Sequence, residues 1–191
     1  NEAYIAGDVF QRAIGSDYVD IAFQTARDTD PSAILIYNDY DNHTISGERT
    51  SVTKDIVWQL KAKGLIDGVG LQMHLDGANP PRKEDVIAAM QSYGLPIYVT
   101  EFDVNLRQVG GSQEQRSAVQ AGIYKTMLEA CLESQVCTHF VVFQTVDKYS
   151  VWETMPSLPF YSHNADPTPF DDDMKPKAAY FAMSNTLAGV R

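Results

Sequence analysis

Four apolar runs, at residues 33–37, 68–71, 95–100 and 140–143, each stop in a cluster of polar residues, and segments of helical period lie between and after them. The clusters are Asn38-Asp39-Tyr40-Asp41, Gln72-Met73-His74, Glu101-Phe102-Asp103 and Gln144-Thr145-Val146-Asp147. Short unbroken apolar runs suit strands buried on both faces, and strands that alternate with helices suit a parallel sheet. The pattern predicts an α/β chain whose strand carboxyl ends carry its chemistry.

The helical segments have recognisable limits. One runs over residues 16–28, opened by Ser16-Asp17 and stopped by Asp30-Pro31. A second, 46–63, spaces Val52, Ile56, Val57 and Leu60 on one face and meets Gly64. A third, 82–93, follows Pro80-Pro81 and ends at Gly94, and a fourth, 112–133, carries Val119, Ile123, Met127 and Leu128. Residues 148–174 are irregular, with four prolines, and Lys175-Pro176-Lys177 leads into a closing helix to about 187. A loop of that length is expected to be functional.

Two architectures offer parallel strands with ligand sites at their carboxyl ends: the open doubly wound sheet and the (β/α)8 TIM barrel. A dinucleotide-binding sheet wants a glycine-rich turn after its first strand, and Tyr37-Asn38-Asp39-Tyr40 has no glycine. The barrel is favoured. Four strands and five helices are half of one, so residues 1–191 are expected to be a single unit, the carboxyl-terminal half of a barrel. A start at Asn1 without methionine points to processing or truncation. The open edges would need covering, by the amino-terminal half or by a second copy.

A formal charge of −10 repels phosphate backbones and disfavours nucleic acid as partner, and no apolar stretch approaches the length of a membrane span. Neutral polar ligands fit best. The two cysteines, Cys131 and Cys137, are either a bridge formed in an oxidising compartment or two unpaired core thiols, and spacing alone leaves both open. Asn42-His43-Thr44 is a glycosylation sequon.

Glu101 closes a buried strand, where an unpaired charge costs several kcal/mol. A salt bridge at a strand end is one explanation. His74 and Asp103 offer another, a carboxylate–imidazole–carboxylate chain that keeps Glu101 ionised. No second histidine stands at ligand spacing, so no metal is expected. For glycosidic chemistry an ionised Glu101 needs an acid partner, and Glu2 is the other glutamate beside an expected strand end. Glu101 would attack the anomeric carbon while Glu2 protonates the leaving oxygen, with retention of configuration. Tyr37, Asn38, Gln72, Phe143, Tyr149 and Trp152 add the aromatic faces and amides by which proteins bind neutral sugars.

Asn1-Glu2-Ala3, Tyr37-Asn38-Asp39-Tyr40, Gly70-Leu71-Gln72-Met73-His74, Val99-Thr100-Glu101-Phe102-Asp103, Asp147-Lys148-Tyr149-Ser150 and Lys175-Pro176-Lys177-Ala178-Ala179-Tyr180 together resemble, in order and spacing, the xylanases of glycoside hydrolase family 10. The resemblance implies a (β/α)8 barrel that cleaves internal β-1,4 bonds of xylan with retention, without metal or cofactor. It implies Glu2 as acid/base, Glu101 as nucleophile, His74 and Asp103 as its support, Asn38 and Gln72 near the sugar, a Cys131–Cys137 bridge, and secretion.

Three departures bear on function. Phe143-Gln144 stands where the family usually has tryptophan then glycine, which alters the sugar platform. Val151 is an additional residue between Ser150 and Trp152, which predicts that Trp152 misses its usual place. The first half of the barrel, with its substrate contacts, is absent. The alternative to an endo-xylanase is therefore a non-hydrolytic xylan-binding or assembly fragment; a relative acting on another β-glycan is a third reading.

Overall fold

The computed structural model describes residues 9–157 and 164–189. Its elements run α1 (Val9–Ile14), α2 (Tyr18–Thr29), β1 (Ile36–Asp39), α3 (Glu48–Ala62), β2 (Gly68–Leu71), β3 (His74–Asp76), α4 (Lys83–Ser92), β4 (Ile97–Asn105), α5 (Gln113–Ser134), β5 (Cys137–Val142), α6 (Val151–Thr154) and α7 (Ala178–Gly189), with a 3-10 turn at Asp147–Tyr149. All the strand pairings are parallel.

Strand order follows chain order. β1 pairs β2, β2 pairs β4 and β4 pairs β5, while β3 continues β2 along the same edge of β4. A doubly wound sheet would reverse direction somewhere; this one adds each strand on the same side, as a barrel does. Between β2 and β3 the backbone turns at Met73, with φ 58°, and the register to β4 shifts by one, from Val69 opposite Ile97 to His74 opposite Asp103.

The helices cover one face. Val69, Leu71, Ile97 and Val99 are sealed against them in the main core with Val57 and Leu60 of α3, Val86 and Met90 of α4, and Tyr124 and Met127 of α5. Burying side chains of this size stabilises by about 1.5–3 kcal/mol each. On the opposite face Tyr98 stacks on His139 with ring centres 4.7 Å apart, and His139 and Val141 are exposed.

The five expected helices agree with α2, α3, α4, α5 and α7 to within two residues, α1 was not expected, and the expected caps at Gly64 and Gly94 have φ 69° and 64°, the left-handed values that end a helix. Asp17 precedes α2 but its side chain caps nothing. The strands differ more. β1 begins three residues later than expected and takes in Asn38 and Asp39, because it pairs residue for residue with Gly68–Leu71. β4 does not stop at Glu101: it continues to Asn105, since β3 supplies a partner for Asp103 through Asn105. The irregular stretch holds the 3-10 turn and α6.

Candidate active site

β4 decides where the carboxylates point. Strict alternation would put Glu101 on the face of Ile97 and Val99, under the helices. Between Val99 and Phe102, however, β4 advances three residues while β5 advances two, from Phe140 to Val142. This irregularity returns Phe102 to the helix layer, against Tyr124 of α5 at 4.8 Å, and leaves Glu101 on the open side with its side chain 28% exposed.

Both Glu101 oxygens are engaged. Asn38 Nδ2–H donates to Oε1 at 3.2 Å, and His74 Nε2 lies 3.4 Å from Oε2. The Asn38 amide is itself fixed, because Thr100 Oγ1–H donates to its Oδ1 at 2.7 Å. Gly70 makes this approach possible: a methyl group there would collide with Asn38 Oδ1. On its other side His74 Nδ1 stands 3.1 Å from Oδ1 of Asp103, which is 1% exposed, and Trp152 Nε1–H donates to Asp103 Oδ2 at 2.5 Å. Phe143 and Trp152 meet the imidazole edge-on, with ring centres 4.9 and 5.3 Å away.

Burial pulls the His74 pKa down, but Asp103 and Glu101 outweigh it and the net displacement is upward, toward imidazolium. Burial also raises the Asp103 carboxyl, opposed by His74 and Trp152. A proton held on His74 then lies between two carboxylates.

These groups line a cleft of about 1010 Å³ that also takes in Tyr40, Gln72, Asn105 and Arg107. His74, Glu101, Asp103, Gln72, Phe143 and Trp152 are thus brought together as expected, with Asn38 bonded to Glu101. Tyr37 is not a cleft residue. It is buried among the core side chains, its hydroxyl donating to Asp39 Oδ2 at 3.0 Å, because in β1 it alternates with Asn38. Tyr149 is 58% exposed and outside the cleft lining, carried outward by the 3-10 turn. Glu2, the expected acid/base, lies outside the described residues. Thr100, Tyr40, Asn105 and Arg107 were not singled out in the sequence; the extension of β4 to Asn105 is what brings Asn105 to the cleft. No cluster of three or more metal-ligating side chains occurs among the described residues.

Cys131 and Cys137 are bridged, S–S 2.05 Å, joining the end of α5 to the start of β5. Asn42 of the sequon is fully buried and donates to the Gly70 carbonyl at 3.1 Å, so its amide is unavailable to a glycan in the folded chain.

The family model described as Glycosyl hydrolase family 10 matches residues 1–186. The chain belongs to that family. It is 34% identical over 184 residues to "Endo-1,4-beta-xylanase 5" of Pyricularia oryzae, covering 94% of this chain and 44% of the relative. It is likewise 34% identical over 182 residues to "Endo-1,4-beta-xylanase B" of Thermotoga neapolitana, covering 94% and 51%. Native xylanase 10B from Thermotoga maritima superposes with a TM-score of 0.84 at 30% identity, over 95% of this chain and 55% of that one. Xylanase 10B from Thermotoga petrophila, solved in complex with xylobiose, gives 0.82 at 30%, over 95% and 54%. The chain spans about half the length of these relatives, and its sheet is a partial family 10 barrel, the carboxyl-terminal half.

With the additional Val151 before it, Trp152 still lines the cleft, its indole N–H donating to Asp103. Gln144, at the position where glycine was expected, adopts φ 62°, the left-handed conformation that favours glycine.

Proposed function

We propose that the protein carrying this chain is a secreted, retaining endo-1,4-β-xylanase, with residues 1–191 forming one unit of its catalytic barrel. The observation that carries this is the Glu101 carboxylate, held at both oxygens by Asn38 and His74 at the floor of an open cleft. A nucleophile must present its oxygen in a fixed direction, and hydrogen-bond donors on either side supply that condition. His74, braced by Asp103, adds a positive charge beside it. Phe143 and Trp152 give the cleft apolar ring surface for a sugar face.

Glu101 attacks the anomeric carbon and forms a glycosyl ester as the leaving oxygen takes a proton from an acid on the opposite side. Water, deprotonated by that same group, then releases the sugar with retained configuration. Glu2 is assigned the acid/base role from its motif, and a retaining pair stands about 5 Å apart. The relatives named as endo-1,4-beta-xylanases and the xylobiose complex of a similar structure support xylan as substrate. The Cys131–Cys137 bridge is compatible with an oxidising compartment.

The test is reducing-sugar release from xylan by the protein at its natural length and by its Glu101→Gln variant. Activity is expected in the first and only background in the second. Full activity in Glu101→Gln would remove the nucleophile assignment. Calorimetric binding of xylo-oligosaccharides by the unaltered protein without turnover would support the non-hydrolytic xylan-binding reading instead.

A further inference from the structure

The Gln144 side chain is used at both ends. Its Nε2–H donates to the Tyr149 carbonyl at 3.0 Å, and its Oε1 accepts from the Val151 N–H at 3.0 Å. One carboxamide thus closes a ring over residues 145–150, the segment that contains the 3-10 turn and leads to α6. Ser150 then caps α6 by accepting from the Trp152 N–H at 3.2 Å, and Trp152 is directed to Asp103. A non-glycine residue in the left-handed region is disfavoured, so its presence calls for a compensating contact. The two bonds to the loop are such contacts, and they act on Tyr149 and the additional Val151, the two residues flanking Ser150.

We propose that Gln144 is a positioning residue for the nucleophile: its carboxamide sets the length of the 145–150 turn, absorbs Val151, and so brings the Trp152 indole N–H to Asp103. From Asp103 the effect passes through His74 to Glu101, by the contacts described above. Its consequence for catalysis rests on the reading of Glu101 as nucleophile. The mechanical coupling of Gln144 to Trp152 does not. Side chains that touch neither substrate nor reacting atom can matter in this way when they lock the rotamers of those that do.

A double-mutant cycle with Gln144→Ala and Trp152→Phe tests it, in the protein at its natural length, with two readouts: kcat and KM on xylan, and the NMR titration midpoint of the His74 imidazole. The titratable groups facing His74 among the described residues are Glu101 and Asp103 from β4 and His43 from the loop after β1. Loss of two hydrogen bonds holding the turn is expected to lower kcat about tenfold, with a smaller change in KM. Gln144→Ala should move the His74 midpoint in the same direction as Trp152→Phe, and the double variant should be no worse than Trp152→Phe within about twofold. Gln144→Glu keeps the acceptor and loses the donor, so it should fall between; it also serves in the cycle if Gln144→Ala does not fold.

Effects that add across the cycle, or a His74 midpoint that answers to Trp152→Phe and not to Gln144→Ala, would overturn the proposal. Should Glu101→Gln retain full activity, the reading of Glu101 as nucleophile falls, while the His74 midpoint still reports whether Gln144 acts through Trp152.

Discussion

Burial alone would drive the His74 imidazole toward its neutral form, yet Asp103 and Glu101 reverse the balance and hold its pKa above the ordinary 6.5. A folded-state value above the unfolded one contributes stability that is complete below about pH 6.5 and is lost as pH rises through the folded value. Glu153, which burial pushes up to about 7, has the same sign, its share falling between its ordinary 4.5 and that value. Replacing His74 by Gln removes only the first contribution. The stability gap between the unaltered protein and His74→Gln, read from urea midpoints, should therefore be widest in mild acid and shrink as pH climbs through the neutral range. A gap that is constant with pH would show that His74 is not held as imidazolium.

α5 grips the long irregular loop through polar side chains four residues apart. Arg116 donates to the Asn164 carbonyl at 2.5 Å, Gln120 to that of Asp166 at 2.5 Å, and Tyr124 to that of Pro167 at 2.8 Å. The loop is pinned again where Asp147 Oδ1 accepts from Thr168 and its Oδ2 from Lys177 Nζ at 2.8 Å, tying the 3-10 turn to the approach of α7. Burial raises the Asp147 carboxyl and Lys177 opposes it. Removing one partner of such a pair leaves a buried charge uncompensated. Lys177→Met should thus cost about 3–5 kcal/mol in urea denaturation, and Asp147→Asn with Lys177→Met should cost less than Lys177→Met alone. If the double variant is the less stable of the two, the pair is not what holds the loop.

At the scale of the molecule, the sheet keeps one face and two edges open among the described residues. β1 pairs only with β2 and β5 only with β4; Val141 is 49% exposed, and Ile34, just before β1, is 64% exposed. Unpaired parallel strands of this kind template further pairing. A 191-residue chain prepared alone is expected to self-associate with rising concentration in sedimentation analysis, and to be monomeric when produced within a complete barrel. A chain that stays monomeric by itself at high concentration would mean that residues outside the described set cover the edges.

Five helices and their alternation with strands were legible in the sequence because each rests on a local periodicity and on caps such as Gly64 and Gly94, which do not depend on distant partners, whereas the short α1 and β3 were not. The grouping of His74, Glu101 and Asp103 was legible too, since strand ends collect on one side of a parallel sheet. What the sequence could not contain was parity and length. Glu101 faces the cleft because β4 and β5 fall out of step, Tyr37 faces the core because it alternates in β1 with Asn38, which reaches Glu101, and Trp152 arrives at Asp103 beyond a turn that Gln144 closes. Periodicity along a chain fixes which side chains alternate; which face they alternate toward is decided by hydrogen-bond register between strands, and register exists only once the strands have met.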